Sequence, residues 1–200
     1  MALWGITDAD ESKPKWLSDD NKVADKQNCF ATNEGWVLRH YKNSDKTEWW
    51  DEVLVSISNL ASSTGVNIAD ITDVEFYTSS FSEADGGNID IIVYWNEKVT
   101  VDTSGGTPTI TVTNDQTGSG TDATFTAAYQ RGTGTNRIVF RKTYGAADGG
   151  VAENDVLSIG AQSVALNSGT IVDSNDGTTN SALVITAAQG TAAGTLTASA

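Results

Sequence analysis

Few residues in this 200-residue chain could do chemistry. His40 is the single histidine and Cys29 the single cysteine. A Ser–His–Asp or Cys–His arrangement would have to recruit His40 as the base that activates its nucleophile. His40 stands mid-strand in VLRHYK, beside Arg39 and near Lys42, and reads as a surface or interface side chain. Cys29 has no evident activating partner and reads as a small apolar contact. Asp173, Asn175 and Asp176 in DSNDG could offer oxygens to Ca²⁺, as could Asp85, or Asp148 with Glu153 and Asp155. The DSNDG run departs from an EF-hand loop: Gly177 falls at a ligand position and no Glu closes it, so an Asp/Asn-rich turn is the simpler reading. GTGT at 132–135 has no following Lys and no helix, and reads as a hairpin turn rather than a phosphate loop. No nucleophile–base pair emerges. The expectation is a protein that is not an enzyme, with no metal and no cofactor.

The elements that would position these residues are strands. In NIDIIVYWN, Ile89, Ile91, Val93 and Trp95 alternate with Asp90, Ile92, Tyr94 and Asn96, the period of two that a packed strand requires. NEKVTV follows it. Further strands are expected at Ile71–Ser79, Thr109–Thr113, Ala123–Tyr129, Arg137–Tyr144, Asp155–Ile159, Ser163–Leu166, Thr170–Val172 and Ala182–Thr186, separated by Gly-rich turns such as SEADGGN. Short alternating strands at regular spacing predict a β-sandwich or barrel.

Composition agrees. Apolar residues make up 38% and charged residues 19%, both low, with Gly, Thr, Ser, Asn and Asp making up the difference. The net charge of -14 argues against a nucleic-acid binder and against docking on anionic lipid. Residues 1–50 hold 7 basic and 9 acidic side chains, and residues 51–200 hold 5 and 17, so the later part should face solvent. A lone cysteine allows no internal disulfide, and stability must come from packing. MALWGITDADESKPKW lacks the basic start and apolar run of a secretory signal, so synthesis in a cytoplasm without export is expected. No window is apolar for long enough to span a bilayer.

Residues 1–34 carry isolated apolar beads without a period and read as an extended arm. GWVLRHY and EWWDEVLVSI, joined by KNSDKT, read as a β-hairpin. Five of the six tryptophans, Trp4, Trp16, Trp36, Trp49 and Trp50, fall in residues 1–50. So short a region cannot enclose five indoles in a core of its own, so some should contact a neighbouring domain or another chain. The expected organisation is an anchoring arm and hairpin over 1–60, a sandwich over 69–187, and a low-complexity tail over 188–200 that is mobile or ordered by a partner.

Residues 69–187 resemble the bacterial Ig-like repeats of large adhesins and surface proteins. Three motifs carry the resemblance: Glu97, Val99, Val101, Gly106 and Pro108; then Tyr129, Gly132, Gly134, Thr135, Ile138, Phe140 and Tyr144; then Leu166, Gly169, Ile171, Asp173 and Gly177. The resemblance implies an all-β, Ig-like β-sandwich used for display or spacing. Adhesins carry such repeats in arrays, whereas one copy is present here. The first sixty residues, with MALWG, KPKWL, FATNEGWVLRHYKN and EWWDEVLVSI, are similar to the start of virion structural proteins of tailed phages, particularly marine and cyanobacterial ones. That similarity implies a capsid decoration protein on the particle exterior. Its expected partners are capsid or other virion proteins, in multiple copies or as a homo-oligomer, with Trp4, Trp16, Trp36, Trp49 and Trp50 as the gripping residues and a weak glycan contact as a further expectation. A neck, tail or fibre-associated protein and a bacterial surface adhesion module are the alternatives.

Overall fold

The computed structural model describes residues 28–32, 35–43, 46–56, 68–175 and 177–200. Trp4, Trp16, Asp176 and most of the expected arm lie outside the described residues.

The alternation in β6 (Gly87–Asp102) becomes the centre of an all-β, sandwich-like fold. Ile89, Ile91, Val93, Trp95 and Val99 turn inward and are inaccessible to solvent. β6 is long enough to serve two neighbourhoods. Its first half pairs antiparallel with β4 (Ile71–Phe76) on one side and β9 (Thr135–Tyr144) on the other. After an irregularity between Tyr94 and Val99, its second half pairs with β12 (Thr170–Asp173). From β9 the sheet continues through β8 (Thr124–Arg131), β7 (Thr109–Asn114), β10 (Val156–Ser158), β14 (Thr195–Ser199) and β5 (Phe81–Ser82). β11 (Gln162–Ser163) and β13 (Val184–Ile185) form a separate short ladder. The sheets enclose one core whose buried members include Val74, Trp95, Phe125, Phe140, Leu157, Ile171 and Leu196. Each such side chain taken from water contributes about 1.5–3 kcal/mol. Trp95 also satisfies its indole N–H, which donates to the Ala182 carbonyl at 3.0 Å.

The expected strands are found within a few residues of their predicted bounds. GTGT forms the β8–β9 turn, in which Gly132 takes φ +117°, and a Cβ there would meet the Arg137 carbonyl oxygen at 2.2 Å.

Two expectations are corrected. The tail over 188–200 belongs to the fold. A short helix, α1 (Ala187–Ala192), capped by Thr186 and Gln189, leads into β14, which pairs with β10 and β5 and buries Leu196 and Ala198. Its low-complexity composition still holds a two-residue alternation of apolar and polar side chains, enough for a strand slotted between two others. The leading region is also more than a hairpin on an arm. β1 (Cys29–Thr32), inside the expected arm, pairs antiparallel with β2 (Gly35–Tyr41), and β2 pairs with β3 (Trp49–Ser56). β1 joins β6 through a single parallel register pair, Ala31 with Glu97.

Candidate functional site

The aromatic residues of the leading sheet divide by strand register. Residues opposite one another share a face, and successive residues alternate. Cys29, Ala31 and Trp36 are buried on one face, with Leu38 and Leu54 packed beside them. His40 and Trp50 continue this face outward. Their rings stack at 4.2 Å, and His40 Nε2 lies 2.8 Å from Glu52 Oε2. The histidine is a surface side chain placed by an indole and a carboxylate, and Cys29 is a buried apolar contact.

The opposite face holds Phe30, Val37, Arg39, Tyr41, Trp49 and Asp51. Arg39 is 6% exposed and forks onto Asp51 with bonds of 2.7 and 2.8 Å. Its guanidinium also stands 5.0 Å from the Phe30 ring centroid and 4.9 Å from that of Trp49. Burial works against the Arg39 charge, but the Asp51 hydrogen bonds and charge outweigh it and raise its pKa. Asp51 is held below the usual carboxylate range, first by its hydrogen bonds from Arg39.

The predicted gripping residues therefore part company. Trp36, at 1% exposure, belongs to the interior of its own subunit. Trp49 and Trp50 are each about half exposed, at 48% and 49%, and point to opposite faces of β3. Val53, at 48%, adds apolar surface further along the face of Trp49. β3 ends the sheet, so its outer edge pairs with no strand among the described residues. An open edge carrying aromatic and aliphatic side chains is a template for another chain.

Two of the candidate acids, Asp155 and Asp173, hold neighbouring backbone through hydrogen bonds. Asp155 is inaccessible and accepts from the Gly118 amide at 2.7 Å, the Ala152 amide at 2.8 Å and Asn114 Nδ2 at 2.7 Å. Burial opposes its charge, but these hydrogen bonds prevail and lower its pKa. It ties together the loops that flank β7 and β10. Asp173 accepts from the Asn175 amide at 2.7 Å, and Asn175 Nδ2 donates to Glu97 Oε1 at 2.8 Å. This is the Asp/Asn turn that the sequence suggests. No group of three or more potential metal ligands occurs among the described residues.

Sequence reasoning missed the second face of β6. Ile92 and Tyr94 are buried there with Val139, while Arg141 forks onto Asp90 with bonds of 2.6 and 2.7 Å. The leading sheet lies alongside this face. A cleft of about 110 Å³ opens between them, lined by Arg39, Lys46 and Trp49 on one side and by Arg131 and Arg137 on the other. Nothing in the local sequence marks it, because its basic residues come from separate strands and loops.

No protein-family model, no curated protein sequence and no solved structure matches this chain. Among the described residues no helix is long and apolar enough to cross a membrane.

Proposed function

We propose that this chain is a virion structural protein of a tailed phage, most specifically a capsid decoration protein. Its leading segment would grip the shell or a sister subunit, and its acidic sandwich would stand outward in water. The observation that carries the gripping role is the edge of β3, unpaired among the described residues, where Trp49, Trp50 and Val53 expose about half their surface at the border of the sheet. Aromatic side chains at a sheet edge supply large contact area at small entropic cost, and the unpaired backbone supplies hydrogen bonds. A stable contact of the usual size buries about 800 Å² on each partner. The virion assignment rests on the likeness of the first sixty residues to phage virion proteins. The display role rests on the resemblance of residues 69–187 to Ig-like repeats and on the charge of residues 51–200.

The test is co-sedimentation of the purified chain with empty heads of the phage whose genome encodes it. The intact chain should sediment with the heads. The Trp49→Ala/Trp50→Ala double variant should bind at least about tenfold more weakly, as expected when two central aromatic contacts are removed. Deletion of residues 1–27, which leaves β1 in place, tests the arm itself. Undiminished binding by both variants would overturn the assigned surface. Recovery on tails rather than heads would move the protein to the tail and keep the gripping mechanism.

A further inference from the structure

The cleft between the leading sheet and the β8–β9 turn contrasts with the rest of the molecule. The chain carries a net charge of -14, yet Arg39, Lys46, Arg131 and Arg137 converge on one small opening. Two nearby acids are already engaged. Asp51 is taken up by the Arg39 fork, and Glu75 accepts from the Tyr94 hydroxyl at 2.6 Å. Arg137 keeps spare capacity. Its Nε and Nη2 are buried and have no hydrogen-bond partner, while its guanidinium is held over the Tyr77 ring, 5.2 Å from the centroid. A buried cationic donor without an acceptor is unfavourable, and a guanidinium is shaped to bind an oxyanion through two parallel bonds. Lys46 stands 5.5 Å from the Tyr41 ring centroid. Burial first, and the charge of Arg137 next, lower its pKa against the pull of Glu75. An anion placed between the two cations relieves both effects.

We propose that this cleft binds a single small oxyanion, a carboxylate or sulfate group, with Lys46, Arg131 and Arg137 as its cationic partners. The volume of about 110 Å³ holds one such group with a water or two and excludes a larger ligand from the interior. The turn keeps its shape without help from the ligand. The Thr135 hydroxyl, with its one proton, lies 2.7 Å from the Gly132 carbonyl oxygen and 2.9 Å from that of Arg137, and Gly132 has a backbone conformation that other residues rarely adopt. Trp49, half exposed at the rim, would report occupancy. The inference does not depend on the virion reading.

The test uses the full chain, labelled with ¹⁵N, titrated with sodium sulfate at constant ionic strength against sodium chloride as reference. The Arg137 Nε–H and Trp49 indole N–H resonances should shift saturably with sulfate. Arg137→Gln should weaken binding about tenfold or more, and Lys46→Gln and Arg131→Gln several-fold each. If Arg137→Gln does not fold, the other two variants carry the test. Titration with sodium glucuronate and with N-acetylglutamate separates an acidic sugar from an acidic protein side chain: the one that saturates at lower concentration names the carrier of the group. Shifts that stay linear and match those with chloride would overturn the proposal. So would saturation unchanged in Lys46→Gln and Arg131→Gln.

Discussion

The leading sheet and the sandwich are both β structure, yet different forces hold them. The sandwich surrounds one continuous apolar core, drawn from β4 through β14, in which Trp95, Phe140, Leu157 and Ile171 are out of reach of water. The leading sheet has only a small cluster around Trp36, and on its other face it relies on Arg39 held between Asp51, Phe30 and Trp49. It meets β6 through one register pair. A sheet that buries only a few side chains on each face, and whose last strand has an unpaired edge among the described residues, is suited to contact rather than to self-sufficient stability. A closed sandwich is suited to carrying it. The contrast predicts that damage to the sandwich is global, and damage to the leading sheet is local.

Trp95→Ala should show the largest effect, a loss of about 3–5 kcal/mol that unfolds both regions together in urea titrations. Trp36→Ala should cost about as much to the leading sheet alone. Hydrogen exchange should quicken over β1–β3 while amides of β9 keep their protection. If β9 is exposed equally, the two regions are one cooperative unit and the contrast fails.

Asp155→Ala should cost about 2–3 kcal/mol, because three donors lose a buried charged acceptor. Its folded pKa lies below the ordinary aspartate value of about 3.9. The stability it contributes is therefore fully present above that value and is lost as pH falls through the folded pKa. Acid unfolding of the variant should begin from a lower plateau and show a shallower pH dependence.

Asp51→Ala should cost about 1–3 kcal/mol, confined to the leading sheet, because Arg39 then keeps its burial without its acceptor. The lowered pKa of Asp51 has the same sign, so this contribution also disappears only on the acid side. Trp50→Ala should change stability least, by less than about 0.5 kcal/mol in the thermal midpoint analysis, since its ring is half exposed and, among the described residues, stacks on His40 alone. Weakened partner binding with unchanged stability would sharpen the division between the two regions.

Much of this was legible in the chain. The alternation of Ile89, Ile91, Val93 and Trp95 marked one face of β6 as core, and Gly132 and Gly134 marked the β8–β9 turn. Cys29–Thr32 was not legible as a strand, because four residues are too few to show a period. The tail was not legible, because Leu196 and Ala198 carry little hydrophobic signal until β10 and β5 supply the partners that bury them.

The amino-acid sequence by itself determined the all-β class, the core-facing side of β6 and the acidity of the later region, since these follow from local periodicity and from composition. The tertiary structure alone decided that Ile92 and Tyr94 are buried as well, that Trp36 turns inward while Trp49 and Trp50 stay half exposed, and that Lys46 and Arg137 meet across a cleft. Those outcomes depend on which sheet lies against which, and a strand pattern specifies two faces without naming what will cover either one.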